Sequence, residues 1–228
     1  RFSLIARSRV ATGLMLGLIS LSVMLNPWQA TEGVVFDTRS VLLSLGGLFF
    51  GAVPAAIAAG LASAYRIYDG GAGVYMGVSV IWSSVIIGVV WRRRKDGNVS
   101  EMGILELLTF GLLVHSAMLL LTFALPAELS TRVISIIALP VLTIYPLVTV
   151  ALGFLLVRSL RRSALNSALR ENEEKFRLLA DNTVDAIWIM DLEARFIYLN
   201  PAVDNLLGYS SEEMTGRGLW EFCDAENF

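Results

Sequence analysis

Two arginines, Arg39 and Arg66, close the ends of a run of 26 residues that carries no charge. Each has an acid near it in the chain: Asp37 precedes Arg39 and Asp69 follows Arg66. A guanidinium presents a planar fork of donors that matches a carboxylate through parallel hydrogen bonds, so the chemistry open to this pair is recognition of a small anion. Two plainer readings compete with it. The acids can neutralise the arginines in internal ion pairs that lock the turns, or both arginines can snorkel at a membrane boundary. Gly70-Gly71-Ala72-Gly73 follows directly, and glycine allows backbone N–H groups to come close to a ligand. No Lys-Ser/Thr follows this run, so it is not a phosphate loop. His115 lies near the middle of another apolar stretch, where an ionisable group is a functional candidate by default. A neutral imidazole bonded to a neighbouring helix is its plainer reading. The candidate ligand residues are therefore Arg39, Arg66, Asp37, Asp69, Gly70, Gly71 and His115. No catalytic constellation and no metal-ligand cluster stands out, and no cofactor is expected.

The elements that must position these residues are membrane spans. Apolar residues make up 55% of the 228 and charged residues 17%, with a mean hydropathy of +0.65, too apolar for a soluble domain of this size. Apolar segments fall at 10–26, 38–50, 53–67, 74–91, 104–125 and 133–157. Read as one helix, 38–67 would be about 45 Å long against a hydrocarbon core of about 30 Å. Read as two, it breaks at Gly51-Ala52-Val53-Pro54, with glycine ending one helix and proline in the first turn of the next.

Charge divides the chain and orients it. Up to Arg162 there are 13 Lys and Arg against 7 Asp and Glu; beyond it there are 5 against 13. A basic-flanked membrane part precedes an acidic soluble part. Arg1/Arg7/Arg9, Arg92-Arg93-Arg94-Lys95 and Arg158/Arg161-Arg162 should all face the cytoplasm, which requires an even number of crossings between successive clusters. Counting 38–50 and 53–67 separately, as a short or re-entrant pair, meets that requirement. Arg39 and Arg66 then face outward. The amino-terminal arginines followed by an apolar core resemble a secretory signal, but the further spans behind them favour a first span. The lone Cys223 permits no internal disulfide, and Pro140 and Pro146 should bend or interrupt the last span.

From Arg158 the pattern becomes amphipathic. Leu165, Leu169, Phe176 and Leu179 fit a heptad seam with Asn172 at a polar core position, which points to a parallel homodimer or, more plainly, to a lone linker helix. Two strands, Ala186–Met190 and Phe196–Leu199, are joined through Asp191–Arg195. A helix closed by Gly208 and another opened by Ser210 in capping-box style come next.

Two resemblances follow from these residues. Asp37-Thr38-Arg39, the glycine-rich Leu45–Gly51 with Pro54, Tyr65-Arg66 before Gly70–Gly73, Val114-His115 and Ile144-Tyr145-Pro146 resemble the LytS/YhcK-type five-transmembrane receptor domain of bacterial signalling proteins. Glu173–Leu179, Asp185-Ala186-Ile187, Tyr198–Ala202, Leu207–Ser210 and Glu213–Arg217 resemble the opening half of a PAS domain. The expected fold is thus an α-helical polytopic membrane bundle of five to six segments (10–157), a linker helix (158–181) and a truncated α+β PAS domain (172–228). The resemblance implies a sensor in the bacterial inner membrane that detects a small extracytoplasmic ligand, with a histidine kinase or diguanylate cyclase as output. No motif of either enzyme is present in this chain. Partners are a small molecule, with a short carboxylate the best chemical fit, the lipid bilayer and a second copy, with no nucleic acid. The rival function is the substrate-binding component of a transporter, which also uses short helices broken at Gly and Pro.

Overall fold

Apolar chain that crosses hydrocarbon must bond its own backbone, and a helix does this within one segment. The computed structural model, which describes residues 2–25, 28–31, 34–36 and 38–222, is built on that rule. Its helices in the first unit are α1 (Phe2–Met24), α2 (Arg39–Leu45), α3 (Ala52–Asp69), α4 (Val74–Arg94), α5 (Ile104–Leu121) and α6 (Ala127–Asp181). Three stretches among the described residues are long and apolar enough to cross a membrane: Val74–Arg94, Ile104–Ala124 and Ala127–Asp181.

The segment 38–67 is two helices. α2 continues through a π-helical turn, Gly46–Phe50, and stops at Gly51, whose φ of +85° only glycine adopts without strain. Pro54 lies in the first turn of α3, where its missing N–H costs no hydrogen bond. The stretch Arg39–Phe50 is about 18 Å long at helical rise, well short of the hydrocarbon core. Six apolar helices thus reduce to five of 18 residues or more and one short one.

The end of this short helix leaves backbone carbonyls without intrahelical partners. Arg92 of α4 supplies them: its Nη1 donates to Leu48 O at 3.0 Å and to Phe49 O at 2.8 Å. In sequence Arg92 is only an orientation signal; in the fold it also caps a neighbouring helix.

Helices meet where side chains are small. A Cβ on Gly47 would lie 2.7 Å from Val85 O, and one on Gly88 would overlap Ser44 O, so α4 and the short helix touch backbone to backbone. Gly13 and Gly17 of α1 make room instead for the side chains of Ile57 and Leu61 of α3. Small residues at crossings are what membrane helices use when lipid offers no hydrophobic drive to associate. The core between α2, α4 and α5 is filled by Val41, Leu45, Leu48, Leu107 and Phe110.

Two expectations need correction. The loop 27–37 contains a short antiparallel hairpin, β1 (Trp28–Thr31) with β2 (Val34–Phe36), which the apolar pattern does not reveal because the strands are so short. Pro140 and Pro146 do not interrupt the last span: α6 is continuous through both. Gly111 of α5 makes room there, since a Cβ on it would stand 3.1 Å from Pro146 Cα. The span and the amphipathic stretch after it are one helix ending at Asp181.

The chain divides into two units, Arg1–Arg161 and Arg162–Phe228. In the second, β3 (Trp188–Met190) pairs antiparallel with β4 (Phe196–Leu199). Asn200 is fully buried and ties this hairpin to the helix before it. Its Nδ2 donates to Ala180 O at 2.7 Å and Asp185 O at 2.9 Å, while its Oδ1 accepts the Ile187 N–H. α7 (Ala202–Leu207) ends on Gly208 in the left-handed region, and α8 (Ser211–Met214) begins in a capping box between Ser210 and Glu213. Phe196, Leu199, Val203 and Met214 form the small core. Cys223 lies outside the described residues.

Candidate functional site

Arg39 is the first residue of α2 and Arg66 sits in the last turn of α3; both are buried, at 7% and 4% exposure. Snorkelling arginines keep their heads in the headgroup region, and these heads are inside the protein. A buried guanidinium has to be paired, because an unmatched charge away from water is costly. Arg66 Nη1 bonds Asp69 Oδ2 at 2.7 Å, and the Asp69 carboxylate is itself half exposed. Among the described residues Asp69 is the acceptor that Arg66 has, which engages one of its five N–H donors. Asp37 lies outside the described residues.

The stem of Arg66 lies across α4 at Gly77. A Cβ there would come within 2.8 Å of Arg66 Nε and 3.2 Å of its Cδ. Glycine at this position is what admits the guanidinium, and sequence reasoning missed it because a lone glycine in an apolar helix carries no periodic signal.

Gly70 and Gly71 take φ of +73° and +89° and form the turn from α3 to α4. The Gly70 N–H closes α3 on Arg66 O at 3.3 Å, and Gly71 O accepts from Val74. These residues shape the turn beside Arg66 rather than offering the Gly70 amide outward.

His115 is fully buried on α5. Its Nδ1 is 2.7 Å from Gly111 O, and a carbonyl can only accept, so the proton of the neutral ring belongs on Nδ1. Nε2 then accepts from the Ser40 hydroxyl at 3.4 Å. Tyr145 of α6 meets the ring edge-on, with centroids 5.3 Å apart. Both nitrogens are engaged, which is the helix-to-helix contact of the plainer reading. Its partner Ser40 is nonetheless the neighbour of Arg39. The structure therefore brings His115 to the start of α2, and Arg66 to Asp69 and Gly77. Ser40 and Tyr145 are further residues that sequence reasoning did not tie to the site, although Ser40 adjoins Arg39.

Residues 4–159 match the family model of the five-transmembrane receptor domain, described as 5TMR of 5TMR-LYT, and residues 174–228 match a PAS domain model. The chain belongs to the 5TMR-LYT family. Among curated proteins and among solved structures nothing matches it. A 5TMR-LYT domain followed by a PAS domain is a membrane-embedded sensory input module of a signalling protein. The groups that occupy the interior of this 5TMR-LYT domain, two arginines and a histidine, are costly in a bilayer and belong where polar contacts compensate them.

Proposed function

We propose that the 5TMR-LYT domain binds a small extracytoplasmic anion, most fittingly a short carboxylate, through Arg39 and Arg66. The signal then passes along α6 and the PAS domain to an output domain of the kinase or diguanylate cyclase class. The observation that carries this reading is the burial of two guanidiniums at the open ends of a helix pair broken at Gly51. Arg66 presents five N–H donors of which Asp69 engages one, and a bound carboxylate would take donors that Asp69 leaves. His115 and Ser40 would hold the start of α2 in place, and Asp37, Asp69, Gly70 and Gly71 would border the site.

The orientation proposed is both ends cytoplasmic in the inner membrane, on the parity of the three basic clusters. With a Cys223→Ser background, Tyr68→Cys should react with a membrane-impermeant thiol reagent on whole cells and Asn98→Cys should not. Both positions are exposed and neither is a left-handed glycine. Labelling of Asn98→Cys but not Tyr68→Cys contradicts the orientation.

The module is proposed to act as a homodimer through α6. Leu165, Leu169, Phe176 and Leu179 are exposed at more than half on this single chain, as a seam awaiting a second copy would be. The break at Gly51 favours one rival, a transport component, since transporters place such breaks at their binding sites. Reconstituted vesicles decide between them. A sensor gives no time-dependent accumulation of labelled short carboxylates above protein-free vesicles, and accumulation above that level means transport.

A further inference from the structure

A cavity of about 350 Å³ opens at the Arg92 end of the bundle, far along α4 from Gly77. Ala52, Val89, Arg92 and Arg93 line it together with two turns, one at Gly51 and one at Asp96-Gly97. Both turns hold left-handed backbone, with φ of +85° at Gly51, +49° at Asp96 and +80° at Gly97. Between them the Arg92 guanidinium is fixed in place: Nη1 is held by Leu48 O and Phe49 O, and Nη2 lies within 3.9 Å of where a Cβ on Gly97 would stand. Its Nε and Nη2 have no acceptor among the described residues. Arg93, exposed at the same wall, has no carboxylate partner there either, whereas the next cation, Lys95, is paired with Glu106 at 3.1 Å. Asp96 is the one acid on the wall, and it is exposed. The wall is net positive.

We propose that this cavity binds the phosphate headgroup of an anionic membrane lipid. A guanidinium held rigid with free N–H groups is a bidentate phosphate receptor, and basic pockets between membrane helices near the headgroup level suit lipid heads. The neighbouring surface fits acyl chain rather than water. Phe50, Val53 and Val90 are exposed at 42%, 50% and 42% beside the cavity-lining Gly51, Ala52 and Val89. A free anion needs no such apolar border; a lipid does. The occupant also bears on the fold, because the same guanidinium caps the short helix that starts at Arg39.

The test is lipid retention by the purified full chain in detergent, read by native mass spectrometry after incubation with phosphatidylglycerol or with phosphatidylcholine. Phosphatidylglycerol should be retained and phosphatidylcholine stripped. Arg93→Gln should weaken retention about fivefold, the effect of one basic side chain near a headgroup. Ala52→Trp, which places an indole in the cavity, should abolish it. Inorganic phosphate at millimolar concentration should not displace the lipid. Equal retention of the two lipids, undiminished retention in both variants, or displacement by inorganic phosphate each overturns the proposal, the last by making this a free-anion site.

Discussion

Replacing Gly88 by alanine should lower the thermal stability of the detergent-solubilised protein markedly, while the same change at Gly60 should leave it equal or slightly raised. At Gly88 the added methyl would overlap Ser44 O and stand 3.0 Å from Leu48 N, both of them backbone atoms that no side-chain rotation moves aside. α4 and the short helix would have to separate, losing the contact of Gly47 with Val85 O and straining the Arg92 cap on Leu48 and Phe49. Overpacking of this kind costs about 1–3 kcal/mol and sometimes more. At Gly60 nothing lies within 4 Å of a Cβ, and alanine is the better helix former by about 1 kcal/mol. Melting curves of the two variants against wild type make the comparison. Equal melting of both would mean that α4 and α2 do not pack through their backbones.

The same contrast explains what the sequence disclosed. Helix positions follow from apolar runs and from punctuation such as Gly51, Pro54, Gly208 and the Ser210 capping box, all local features whose physics does not need a neighbour. Much of the second unit was legible for this reason: β4 and both caps fall where the turn chemistry puts them, while β3 begins at Trp188, two residues later than the expected Ala186. Crossings were not. Gly47, Gly77 and Gly88 matter because of atoms on another helix, and nothing within their own segments tells a crossing glycine from a free one such as Gly60. Arg92 shows the same limit, since its two acceptors lie 44 and 43 positions away in the chain. The prolines show it too: Pro140 and Pro146 do not interrupt α6, and the packing of Gly111 against Pro146 that accompanies this is a tertiary fact. Of the site, the residue types of Arg39, Arg66 and Asp69 were readable from charge in an apolar context. The contacts of His115 with Gly111 and Ser40 were not.

The second large effect concerns ligand affinity. Lysine in place of Arg39 or Arg66 keeps the charge and loses the planar fork, so each variant should fold yet bind its anion more weakly. A lost charged hydrogen bond is worth about 1.5–3 kcal/mol, or roughly a 10- to 150-fold rise in Kd. Gly77→Ala retains both arginines but pushes against the Arg66 stem at Nε and Cδ, and it should weaken binding as well. Thermal unfolding of each variant in the absence of ligand separates a damaged fold from a damaged site.

The measurement that tests the account most directly is a calorimetric titration of the purified full chain with short mono- and dicarboxylates, run on wild type, Arg39→Lys and Arg66→Lys. The account predicts saturable binding of at least one acid by wild type and a tenfold or greater loss in each variant. If no acid binds wild type, or if the three proteins bind one equally well, Arg39 and Arg66 are structural ion-pair residues and the ligand site lies elsewhere.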